Sequence, residues 1–255
     1  MTVSVKTVKT PSVAAVAPAV PPKRRGPRPK GESERLREKI LDCAEKLFAE
    51  HGFHGTSIRD IAALSDVQLA LVGYHFGSKE DLLDSVLGRR ATVCYGERMA
   101  FLEDARKRYG KRPIPVGELF DGFAACFLAR PSRNDAGWRN YATLVANLAN
   151  AAQWGSLISK HYDDGARAYV KELQRSYPSA DSEKIHQAFF FMIAVMLAVC
   201  ARPGRIERLS EMQFTSSEVT QLARSVSFFV EGGFHNLVSN SSTPPVKTGR
   251  KSGSK

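Results

Sequence analysis

Two Ser-x-x-Asp phrases, Ser57-Ile58-Arg59-Asp60 and Ser78-Lys79-Glu80-Asp81, flank a short proline-free run rich in apolar residues. In such a phrase the serine hydroxyl accepts from the backbone N–H three residues on, and the carboxylate accepts from the serine N–H in return. Each phrase therefore fixes the start of a helix. The interval between them leaves room for one short helix, a tight turn and a second short helix over about 68–76. Ser65-Asp66 supplies the turn, because aspartate tolerates the left-handed backbone that tight turns often need. A helix, a turn of three or four residues and a helix again is the helix-turn-helix spacing, in which the second helix enters the major groove.

Upstream, Leu36, Ile40, Ala44, Leu47 and Phe48 make one apolar stripe on a helix over about 33–50, which His51-Gly52 ends. Ser78 opens a longer fourth helix, whose N-terminus offers free N–H groups and a positive dipole end to a phosphate, with Lys79 adding a mobile charge. Nearly every later segment has helical rather than alternating periodicity, and helices are predicted at about 116–130, 136–150, 154–176, 182–201 and 216–237. The fold class is all-α: an N-terminal three-helix helix-turn-helix domain followed by a helical ligand-binding and dimerisation domain. The domain reading is a basic arm over 1–32, the DNA-binding domain over 33–94, the effector and dimerisation domain over 95–240 and a basic tail over 241–255.

The net charge of +11 sits in the tails. Residues 1–30 carry seven Lys or Arg and no acid, 241–255 carry four and no acid, and the remainder balances at 26 of each sign. Residues 31–90 even hold 8 basic against 11 acidic side chains, so the Arg24, Arg25, Arg28 arm is expected to supply much of the attraction to phosphate or the minor groove. Cys43, Cys94, Cys126 and Cys200 form no C-x-x-C pair and read as packing thiols. No apolar run reaches membrane-spanning length, the closest being Ala188 to Ala201. Prolines interrupt the only signal-like segment, Val13 to Val20. A cytoplasmic protein that contacts no membrane is expected.

The phrases Phe48-Ala49-Glu50-His51-Gly52-Phe53-His54-Gly55-Thr56-Ser57-Ile58-Arg59-Asp60-Ile61-Ala62 and Tyr74-His75-Phe76-Gly77-Ser78-Lys79-Glu80-Asp81-Leu82-Leu83 resemble the DNA-binding domain of the TetR family in order and spacing. The resemblance covers roughly 33–94. It implies a DNA-facing set of Thr56, Arg59, Gln68, Leu69, Ala70, Tyr74, His75 and Lys79, with Tyr74, His75 and Lys79 mostly on phosphates and Gln68 and its neighbours at base edges. The sequence departs from the family pattern at Asp66, where a turn glycine is usual, and at Gly73, where Tyr or Asn is common. The run Leu69 to Phe76 and the tryptophan-containing middle segment look most like the fatty-acid-responsive branch.

Beyond about residue 95 the residues themselves carry the reading. Phe120, Phe123, Phe127, Trp138, Tyr141, Leu144, Trp154, Tyr162 and Tyr169 put large side chains on several helices. They are candidates for an apolar effector pocket, with plain core packing as the alternative. The last two long helices carry more apolar surface than one core needs, which suggests a two-fold four-helix bundle through Phe189, Met192, Val195, Met196, Val199, Leu222, Val226, Phe229 and Val230. The histidines show no metal-ligand spacing, and no nucleophile motif or phosphate loop appears, so no enzyme, cofactor or metal is expected. The expected partners are double-stranded operator DNA, a second copy of the chain and an unidentified small-molecule effector. The reading is a repressor that such an effector releases from a palindromic operator; the alternative is an activator or architectural protein of the same fold without an effector.

Overall fold

The computed structural model describes residues 30–132, 135–201, 204–215 and 219–239, so the Arg24, Arg25, Arg28 arm and the basic tail lie outside it. Among the described residues there is no strand. The elements are α1 (Lys30–His51), α2 (Ile58–Leu64), α3 (Leu69–Phe76), α4 (Lys79–Tyr109), α5 (Val116–Ser132), α6 (Ala136–Ala149), a 3-10 turn (Ala152–Trp154), α7 (Gly155–Ser176), α8 (Ser182–Ala201), α9 (Arg205–Leu209) and α10 (Val219–Ser239). The periodicity located the long helices to within a few residues. It missed the short α9 and started α7 one residue early, at a tryptophan that ends the 3-10 turn.

Local chemistry explains the head. The α1 stripe buries Ile40, Leu41, Ala44 and Phe48 against Ile61 and Ala62 of α2, Val72 and Phe76 of α3, and Leu82, Leu83, Val86 and Leu87 of α4. Gly52 ends α1 at φ +71°, and a Cβ on Gly55 would lie 2.3 Å from the His51 carbonyl oxygen, so the α1–α2 turn closes only on glycine. Asp66 adopts φ 51°, the left-handed turn expected of it.

The boundary expected between residues 94 and 95 falls inside α4, which runs unbroken from the head into the body. One apolar core continues through both parts, and α1 packs on α6 as well as on α4. Charge ties the same junction. Glu45 of α1, 1% exposed, accepts from Arg90 Nε at 2.6 Å and Nη2 at 2.8 Å and from Arg89 at 3.2 Å. Arg90 also lies 4.7 Å and Arg130 4.6 Å from the Trp138 ring centre, so α4, α5 and α6 meet around one indole.

In the body, α4 to α8 and α10 enclose a core rich in aromatic rings. By length and composition α8 is apolar enough to cross a membrane, more than the 188–201 run suggested. It packs Ile185, Ala188, Phe189, Met192, Met196, Leu197 and Cys200 into the core and leaves Phe190 and Phe191 exposed.

Candidate nucleic-acid interface

Both helix starts form as their phrases dictate. Asp60 accepts from the Ser57 backbone N–H at 2.8 Å and its hydroxyl at 2.6 Å, while Ser57 Oγ accepts from the Asp60 N–H at 3.2 Å. Ser78 and Asp81 repeat the arrangement at 3.1, 2.6 and 3.1 Å. Hydrogen bonds from the serine side chains and backbones hold both carboxyls below their usual range. These pairs fix α2 and the N-terminus of α4 on either side of α3.

Between them α3 has two unlike faces. Val72 and Phe76 are buried, whereas Tyr74 is 82% exposed and Gln68, Leu69 and Ala70 are also exposed. Arg59 of α2 is exposed on the neighbouring helix, and half-buried His75 meets Tyr74 edge-on at 5.3 Å. This is a helix held from behind, with a free polar and aromatic front.

Two members of the expected DNA-facing set sit otherwise. Thr56 is 2% exposed and shares its hydroxyl proton between the Leu47 carbonyl at 3.1 Å and the Gly52 carbonyl at 2.9 Å. It is a fastener of the α1–α2 turn, because a buried hydroxyl must satisfy its donor internally. Lys79 donates to the Phe53 and Thr56 carbonyls, both at 2.8 Å, with its ammonium 4.1 Å from the Phe53 ring centre. Two of its three donors are thereby committed inward, and it acts first as a clasp between α4 and the turn.

Neither local pattern nor motif pointed to the contact that closes this clasp from the body. Trp154 meets Phe53 edge-on at 4.7 Å, and Gln153 Nε2 lies 3.2 Å from His54 Nε2. Trp154 is thus set apart from the other effector candidates. Those candidates do come together: Phe123 meets Tyr169 and Phe189 edge-on, Phe127 stacks on Tyr141, and the Tyr141 and Tyr162 hydroxyls are hydrogen-bonded. Burial raises the pKa of all three tyrosines, and they stay neutral. Phe120, Trp138 and Leu144 complete the packing.

Two cavities stand out, and both lie away from these rings. One of about 640 Å³ runs between α8 and α10, lined by Phe191, Val195, Phe229 and Phe234 among others; one of about 730 Å³ lies between α5 and α10. The expected dimer residues divide accordingly. Phe189, Met196 and Val226 are buried within the protomer, a correction to their expected interface role, because a helix apolar almost all round uses one side for its own core, and Met192 and Val230 are nearly buried at the floor of the α8–α10 cavity. Val195, Val199 and Leu222 are half-buried and Phe229 is 69% exposed. Exposed Phe190, Phe191 and Phe228, outside the expected set, extend the outer face.

Comparison with known proteins accords with this architecture. The family described as bacterial regulatory proteins, tetR family, matches residues 40–86, and the tetracyclin repressor-like C-terminal domain matches residues 121–233. The HTH-type transcriptional repressor Rv3405c of Mycobacterium tuberculosis is 40% identical over 95 residues, covering 35% of this chain and 50% of that protein. The repressor KstR2 of Rhodococcus jostii is 42% identical over 57 residues, covering 22% of this chain and 28% of its own length. The chain thus matches about half or less of these relatives' lengths. The structure of the fatty acid degradation regulator FadR from Bacillus halodurans shares the fold at a TM-score of 0.53 and 16% identity, covering 77% of this chain and 98% of that one. With both a head and a body of this kind matched across more than half its length, the chain belongs to the TetR family of bacterial regulators.

Proposed function

We propose that the chain is a ligand-responsive transcriptional repressor that binds a palindromic operator as a homodimer. The observation that carries this reading is the two-faced α3, with Val72 and Phe76 locked in the core and Tyr74, Leu69, Ala70 and Gln68 free beside Arg59. Such a helix can enter the major groove without disturbing its own support. The repressors among its sequence relatives favour the same sign of regulation.

Dimerisation would join the exposed phenylalanines of α8 and α10 to their copies, bringing two recognition helices roughly 34–36 Å apart, one turn of DNA. An effector in the body that fits only one spacing of the heads would shift the population towards it. Continuous α4 and the Trp154–Phe53 contact give such a shift two rigid routes to α3.

The test is fluorescence anisotropy of the full chain on the DNA upstream of its own gene across a salt series, for wild type and an Arg59→Ala, Tyr74→Ala variant. Both side chains are exposed, so the variant keeps its fold. Sequence-selective binding that weakens with salt and is lost in the variant is expected. Equal binding by the variant, or no selective binding by wild type, would sink the assignment.

A further inference from the structure

Three charged side chains are fully buried among the described residues, and two of them are paired: Glu45 with Arg89 and Arg90, and Glu172 with Arg106 and Arg175. The third is Arg98 of α4, 3% exposed. Its Nε donates to the Phe123 carbonyl at 2.9 Å, and its guanidinium carbon lies 3.6 Å from the Phe123 ring centre and 5.6 Å from that of Phe127. These contacts orient the group and supply no negative charge. Among the described residues it forms no ion pair, and its one hydrogen bond to the protein is the one from Nε. Its polar neighbours are Cys94, Cys126, Tyr162 and Tyr169, none of them a carboxylate. Glu97, next to it in sequence, is taken by Arg130 and the Cys126 thiol.

An arginine keeps its proton even where burial opposes the charge, so this part of the core holds an uncompensated cation. Burying a charge is costly unless it is paired, and the two terminal nitrogens form the fork that fits a planar carboxylate. We propose that Arg98 anchors the carboxylate of a small amphipathic acid, whose apolar body lies among Phe123, Phe127, Tyr162 and Tyr169. This identifies the effector class of the regulator proposed above and rests on that reading. A single negative charge neutralises the guanidinium, whereas a multiply charged head group would find no further cation among these rings.

Two glycines lie on the helices that pass this group and its rings. A Cβ on Gly165 of α7 would lie 3.8 Å from Arg98 Nη1, so α7 passes the guanidinium with no side chain between. On α5, Gly122 forms a notch filled by half-buried Phe101, where a Cβ would lie 2.4 Å from the ring. Phe101 stacks on Tyr169, so an apolar body entering among these packed rings would have to displace it. Arg98 lies about 28 Å along α4 from Lys79, so a load on it acts on the same rod that starts beside the recognition helix.

The test uses the full-length chain with hexanoate, decanoate and 4-phenylbutyrate, each paired with its primary amide, and compares wild type with Arg98→Met. At least one acid is expected to raise the wild-type melting temperature saturably by several degrees while its amide does not, with the variant binding that acid at least tenfold more weakly by calorimetry. The unliganded variant is expected to melt no lower than wild type, because the unpaired charge is gone. A variant that melts well below wild type, acids that bind it equally, amides that match the acids, or a wild type that responds to none of the acids would each overturn the anchor. Both proteins are also assayed on the upstream DNA. Intact DNA binding with no acid response removes the anchor alone, and lost DNA binding with an acid response removes the operator reading alone.

Discussion

The head and the body satisfy their polar groups over different distances along the chain. In the head, Ser57 meets Asp60 and Ser78 meets Asp81, each within one helical turn. In the body, Arg106 reaches Glu172 at 2.7 Å, the Ile114 N–H donates to Ser176 Oγ at 3.1 Å, and His161 lies 2.6 Å from Asp84 of α4. The helix starts of the head are therefore set by short-range instructions, while its closure by Lys79 and the body both depend on which helices come to lie together. Arg98 belongs to the second kind: nothing near it in sequence shows that it is buried without a counter-ion.

The comparison can be broken most sharply at the junction, where Glu45→Ala leaves Arg90 without its buried partner while Arg89 keeps Glu38 and Asp42. A loss of about 3–5 kcal/mol in urea denaturation is expected, and a loss under 1 kcal/mol would show that the junction is held by apolar packing alone. Next in size is the outer face of α8 and α10. Phe191→Glu with Phe229→Glu, both exposed in the protomer, is expected to yield a monomer by light scattering and to weaken operator binding by about 100-fold through lost bivalency. A dimer that survives would place the interface elsewhere.

Smaller effects test the head. Ser57→Ala and Ser78→Ala are each expected to cost about 1 kcal/mol, and to add, because the two caps share no partner. Strong non-additivity in a double mutant would show that the helix starts are coupled through Lys79 rather than independent. The smallest effect is a pH dependence. Burial opposes the ionisation of Glu172, but hydrogen bonds from Arg175 and Arg106 outweigh it and hold its pKa below the ordinary 4.5. A carboxyl lowered on folding contributes stability above its unfolded pKa and loses it as pH falls through the folded value. Thermal melts of wild type should therefore lose stability below about pH 4.5, with a shallower loss in Glu172→Gln; equal slopes would show that other carboxylates carry the acid response.

How much could be read from the chain alone follows the same division. The capping pairs and the left-handed Asp66 were legible because each depends on residues within a turn or two of one another, whereas the outward residues of α3 were implied by the family resemblance. The motif positions of Thr56 and Lys79 say nothing of the carbonyls that the α1–α2 turn aims at them, so their structural role was not legible. The phenylalanines of α8 show the same limit: their apolar character was plain, but which of three consecutive rings turns inward depends on how the helix seats against its neighbours. Phe189 is buried, and Phe190 and Phe191 are exposed.

The sequence by itself determined an all-helical chain, a helix-turn-helix with both flanking starts fixed, and surplus apolar surface near its end. Those properties come from periodicity and from hydrogen bonds within three or four residues. Only the tertiary structure decided that α4 joins head and body into one core, that Trp154 closes on Phe53, that the body's rings pack against one another, and that Arg98 lies among them unpaired. Each of these depends on residues from separate helices converging, and burial and electrostatic environment follow from that convergence rather than from local order.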